Sequence, residues 1–164
     1  MKTCIAIVDA SRARLFVHTR SDGAGGLHDD LVERAALVVP GRRLREGARF
    51  SDSRPGANRV GTRQYGFDDH RGANVLHEDA AFAERVIDEL SHLVADPACS
   101  RLVVCASPRM LGMLRYYATG LRGRGVVVDE LSRDLVKLTV PELRDQLAAY
   151  GILPAATPPR LAAH

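Results

Sequence analysis

The chain has 164 residues, 46% of them hydrophobic and 26% charged, with a net charge of +3. That suffices for one domain with its own core, and no apolar run reaches the roughly 18 residues of a membrane-spanning helix, so no membrane partner is expected. The apolar patch Cys4–Val8 is too short for a secretory leader, and Cys4, Cys99 and Cys105 form no CxxC pair, a usage that suits a reducing, cytoplasmic setting with thiols acting as small hydrophobes.

Residues 3–9, TCIAIVD, read as a first strand, and Asp9-Ala10-Ser11 as a turn. Residues 12–19, RARLFVHT, alternate as a second strand, with Leu15 and Val17 on one face and Arg14, Phe16 and His18 on the other. So short a connection implies an antiparallel hairpin. After the turn signal SDGAGG, residues 31–39 complete a meander, with an Ala-rich helix as the minority alternative. Arg12 and Arg14 share a face, and pairing with Glu33 across the meander is the favoured reading of it.

Residues 40–75 break the pattern. They hold six of the 14 glycines, two prolines and no apolar periodicity, so an exposed loop is expected here. Residues 41–74 carry eight arginines against four carboxylates, a local +4 that leaves the remainder of the chain near −1.

From Glu78 to Ala95 the residues Phe82, Val86, Leu90 and Val94 recur at helical spacing, widened by Ala83 and Ile87. Glu78 and Asp79 complement the helix dipole, and Asp96-Pro97 ends the run. The stretch 101–115, RLVVCASPRMLGMLR, then reads as a buried strand feeding a helix from Pro108 to about Leu121. Ser107 is placed to cap that helix and Pro108 to open it. Val126–Leu131 forms a fifth strand, parallel to the fourth because a helix intervenes. Thr139 and Glu142 have capping-box spacing before a last helix that Gly151 stops. Residues 154–164 read as a frayed tail. The expected fold is therefore α/β: a single domain over residues 1–153, with a five-stranded mixed sheet, an antiparallel meander followed by a parallel strand–helix–strand unit, and about three main helices.

Three stretches together resemble the bacterial family named "protein required for attachment to host cells". The first is Asp9, Arg12, Ala13, Arg14, Leu15 and Phe16 around the opening hairpin. The second is Ala106, Pro108, Leu111, Gly112, Leu114 and Arg115, and the third Arg133, Asp134 and Leu135. The resemblance spans residues 3–150. It implies a further likeness, to the middle domain of archaeal and eukaryotic class I release factors, whose loop before the first long helix carries Gly-Gly-Gln. The equivalent position here is the arginine-rich loop. No Gly-Gly-Gln occurs in it, the nearest text being Gly61-Thr62-Arg63-Gln64, so hydrolysis of the release-factor type is not expected.

The arginine loop is the leading candidate site, through Arg42, Arg43, Arg54, Arg59, Arg63 and Tyr65. Guanidinium groups suit phosphate, and interleaved aromatics stack on unpaired bases. RNA or the ribosome is the expected partner, set against a solvated loop or a homo-oligomer contact. The turn Ser107, Arg109 and Met110 is an anion-binding candidate, set against an ordinary cap. Asp9 lies at a neighbouring strand end, where with Asp134 it suggests a nuclease-like pair or, more simply, turn caps. His70, His77 and Asp69 are the raw material of a metal site without a recognised spacing. No P-loop, GxSxG, HExxH or GxGxxG is present, and lysine occurs only at positions 2 and 137. The reading favoured is a binding protein with no catalytic residue and no cofactor, and the alternative is an enzyme acting on a phosphate-bearing substrate near Asp9 and Ser107.

Overall fold

Asp9 makes the first turn. Its Oδ1 accepts from the amides of Ser11 and Arg12 at 2.8 and 2.6 Å and from the Ser11 hydroxyl at 3.2 Å. An aspartate bonded to the backbone ahead of it fixes a tight reversal, and β1 (Lys2–Val8) folds back on β2 (Arg12–Gly23) with Ile5 opposite Phe16. β3 (Gly26–Val38) completes the meander. The computed structural model describes residues 1–39 and 65–156, and within these the side chains of 1–39 and 76–156.

β2 and β3 both run further than their apolar alternation. β2 continues past Thr19 to Gly23 and β3 starts at Gly26 rather than Leu31. The extension is a polar two-stranded ribbon, closed where Gly26 takes φ +110°. Its ladder satisfies the backbone without burying either face, so periodicity could not reveal it.

α1 spans Tyr65–Val94, thirteen residues earlier than the stripe that begins at Glu78. The expected loop over 40–75 is thus corrected: its last eleven residues are helical. Gly66, Gly72 and the polar residues between them carry no stripe, but a helix nucleated by packed turns extends at one hydrogen bond per residue, and Asp68 and Asp69 lie at its positive end.

β4 (Cys99–Cys105) lies parallel to β1 and to β5 (Val127–Leu131), giving one mixed sheet in the order β3-β2-β1-β4-β5. Between β4 and β5 run α2 (Pro108–Tyr117) and a single turn, α3 (Thr119–Arg122). The helix expected to reach Leu121 breaks at Ala118, where the Thr119 hydroxyl donates back to the Tyr116 carbonyl at 2.9 Å. α4 (Val140–Ala149) has the expected capping box: Glu142 accepts from the Thr139 amide at 2.9 Å while the Thr139 hydroxyl accepts from the Glu142 amide at 3.4 Å. It ends in a Schellman turn, with Gly151 at φ +73° and the Ile152 and Gly151 amides bonded to the Leu147 and Ala148 carbonyls.

β1 is central and buried on both faces. On one face Cys4, Ala6 and Val8 meet Phe82, Val86 and Leu90 of α1 and Met110 and Leu114 of α2. On the other, Ile5, Ile7 and Phe16 meet Leu143 and Leu147 of α4 and the returning Leu153. The α/β expectation, five strands in a mixed sheet with helices on both faces, holds.

Candidate functional site

At the C-terminal ends of β1 and β4 the sequence brought Asp9, Ser107, Arg109 and Met110 into consideration. Ser107 caps α2, its hydroxyl accepting from the Met110 amide at 3.3 Å. Arg109, half exposed, reaches to 3.0 Å from the carboxylate of Asp79 on α1, which is 2% exposed. Asp134 accepts from the Val136 amide at 3.3 Å, so it and Asp9 both cap turns. An anion arriving at this turn competes with Asp79 for the Arg109 guanidinium and with the Ser107 hydroxyl for the Met110 amide.

His77 is exposed on α1. Asp69 and His70 lie in the helical backbone, their side chains outside the described residues, and among the described residues no three His, Cys, Asp or Glu groups converge as a metal site. Tyr65 opens α1. Arg42, Arg43, Arg54, Arg59 and Arg63 lie outside the described residues. The segment that holds them departs from the sheet beside the first turn, where the Val39 amide donates to the Ser11 carbonyl at 2.9 Å.

The α4 face of the sheet carries a polar network that the sequence reading missed. The favoured pairing of β2 with Glu33 is present: Arg14 Nε and Nη2 lie 3.0 and 3.1 Å from its two oxygens. Arg14 also donates to the carbonyls of Val136 and Leu138, and Arg12 to that of Val136 at 2.8 Å. These two arginines therefore grip the loop that leads into α4. Further along β2, His18 Nε2 is 2.6 Å from Asp29 Oδ1, and Arg144 of α4 is 2.7 Å from Asp29 Oδ2. All three are largely buried. Burial raises the Asp29 carboxyl, but the hydrogen bonds from Arg144 and His18 outweigh it and hold the group below its usual range. Next to this network lies a cavity of about 400 Å³, lined by Thr3, His18, Arg20, Arg101 and the returning Ile152 and Pro154. Arg101 is fixed there by Asp129 at 2.6 Å and by the Ile152 carbonyl at 2.9 Å. Arg14, Arg144 and Arg101 of this face are each held by a carboxylate, that of Glu33, Asp29 and Asp129 respectively. The shared face of Arg12, Arg14, Phe16 and His18 was visible in the alternation, but Arg144 is 115 positions from Asp29.

Elsewhere Arg115 and Arg122 both reach Glu130, at 2.6 and 3.3 Å. No helix among the described residues is long and apolar enough to cross a membrane.

The family model described as "protein required for attachment to host cells" matches residues 4–147. The chain belongs to this family. The host-attachment match takes in every strand of the sheet, the arginine-rich segment and most of α4. It ends before the Schellman turn and before Ile152. No curated protein matches the chain.

Proposed function

We propose that this host-attachment-family protein works as a non-enzymatic binding protein in the attachment-related role its family name describes, engaging RNA, free or on the ribosome, through the arginines of residues 40–64. One observation carries the reading: the segregation of charge. Residues 40–64 hold seven arginines against Glu46 and Asp52, a net +5, whereas the whole chain is only +3 and the rest therefore sums to −2. Within the fold Arg14, Arg101, Arg109, Arg115, Arg122 and Arg144 each have a carboxylate partner. The segment has five more cations than its own carboxylates can neutralise, and such an excess favours a polyanion by releasing its counterions. The release-factor likeness supports the same reading, since the segment sits between β3 and the first long helix, where that likeness puts the functional loop.

The test is RNA binding by the full chain at several salt concentrations. If each arginine replaces one counterion on single-stranded RNA, Arg54→Ala, Arg59→Ala and Arg63→Ala together lower the slope of log affinity against log salt by about 2. Absent or salt-insensitive binding by the unmodified chain overturns the reading. Unchanged RNA binding by the triple variant, with conversion of a dimer to a monomer, transfers the segment to oligomer contact.

A further inference from the structure

We propose that Cys4 and Cys99 form a redox-active dithiol site, which closes into an intramolecular disulfide by exchange with a small-molecule disulfide of the glutathione type. The two sulfurs lie 3.0 Å apart, on adjacent parallel strands, and 95 positions apart in sequence. That is contact distance and not a bond, which is about 2.05 Å.

A local irregularity brings them together. Lys2 pairs with Cys99 and Thr3 with Arg101, so Ser100 is an extra residue in β4. In an unbroken strand Cys99 would share a face with Arg101, Val103 and Cys105, the α4 side. The bulge resets the alternation. Cys99 therefore faces α1 with Leu102 and Val104, which is the face of Cys4.

The pair is also reachable. Both thiols line a cavity of about 230 Å³, whose wall includes Lys2, Arg34, His92 and Asp96. Lys2 is bound to Asp96. Arg34, exposed, and His92 offer cationic and donor groups to the carboxylates of an incoming peptide disulfide. Cys105 lies on the opposite face, away from that cavity, and burial pushes its thiol up to about 12.

The exchange runs in two steps. Cys99, as thiolate, attacks one sulfur of the reagent; the reagent's S–S bond breaks, and one small thiol leaves with a proton. Cys4 then gives up its proton and attacks Cys99 Sγ. The Cys4–Cys99 bond forms, the mixed disulfide breaks, and the second small thiol leaves. Two protein thiols are oxidised to one disulfide and the reagent is reduced to two thiols. Cys4 takes the second role because burial, and then its contact with Cys99, hold its thiol protonated.

The experiment treats the reduced full chain with glutathione disulfide, denatures it, alkylates free thiols and maps the peptides. Of three thiols, one should remain alkylatable, with the peptides of Cys4 and Cys99 joined. Dithiothreitol should restore all three. Cys105→Ser, away from the pair, should close equally well, while Cys4→Ser should stop at a glutathione adduct on Cys99. Three alkylatable thiols after treatment, a bridge that includes Cys105, or a bridge between two chains would overturn the proposal.

Discussion

Asp29→Asn offers the sharpest test of how the α4 face is held. The substitution keeps the shape of the side chain and removes its charge, leaving the Arg144 guanidinium, 16% exposed, without its carboxylate. The Nη1 atom of Arg144 is already buried without a partner, so the group has no second acceptor to turn to. Removing one member of a buried pair costs about 3–5 kcal/mol, chiefly because the remaining charge stays buried. For a domain of this size that corresponds to a fall in the melting midpoint of roughly 6–20 °C. The assay is urea denaturation of the full chain near neutral pH, compared with Asp29→Asn combined with Arg144→Met. The double variant should recover much of the loss, because an apolar pair costs less than an orphaned ion. The pH dependence follows from the lowered carboxyl. A group whose folded pKa lies below its ordinary value of 3.8 stabilises at every pH above that value, and the contribution is lost as pH falls through the folded pKa. The unmodified chain should therefore lose this stability in strong acid, while Asp29→Asn is already without it near neutrality. If Asp29→Asn unfolds at the same urea concentration as the unmodified chain, the network is not what ties β2 and β3 to α4.

Two further predictions rest on particular contacts. Thr139→Ala removes one side of the capping box and should cost about 1 kcal/mol in urea denaturation, with α4 otherwise intact. Closure of the Cys4–Cys99 disulfide ties residues 95 positions apart; by the chain-entropy argument this stabilises the oxidised form by about 4–5 kcal/mol, read as the difference in denaturation midpoint between oxidised and reduced chain.

What the sequence made legible was local. The strand–cap–helix joint at Ser107 needs only a continuous apolar run, a serine and a proline, and the α4 boundaries need only Thr139, Glu142 and Gly151, all within a few residues of the bonds they make. The two faces of β2 were equally plain, since Leu15 and Val17 alternate with Phe16. The misses are of two kinds. Where the backbone bonds are satisfied without burial, as in the outer ribbon of β2 and β3, or where the residues carry no stripe, as around Gly66 and Gly72 at the start of α1, no apolar period exists to be read. Where a site depends on how distant elements come together, its members look unrelated: Asp29 and Arg144, 115 positions apart, carried no signal, and Cys4 and Cys99 read as two inert thiols. Ser107 is the cap its position suggested, while the surroundings of Arg109 were not visible, because Asp79 reaches it from a different helix.

The bulge at Ser100 separates the two polar features of the sheet's N-terminal end. With Ser100 counted as extra, Cys99 lies on the α1 side and Arg101 on the α4 side, so the dithiol and the cavity beside His18 occupy opposite faces of the same strand. Deleting Ser100 gives an informative result, because Cys99 and Arg101 then become consecutive and keep opposite faces by simple alternation. The variant loses the local twist that a bulge supplies but keeps both assignments. A folded Ser100-deletion variant should therefore still close the Cys4–Cys99 disulfide under glutathione disulfide. If it folds and keeps three alkylatable thiols, the twist at the bulge, and not the face on which Cys99 stands, is what brings the sulfurs into contact.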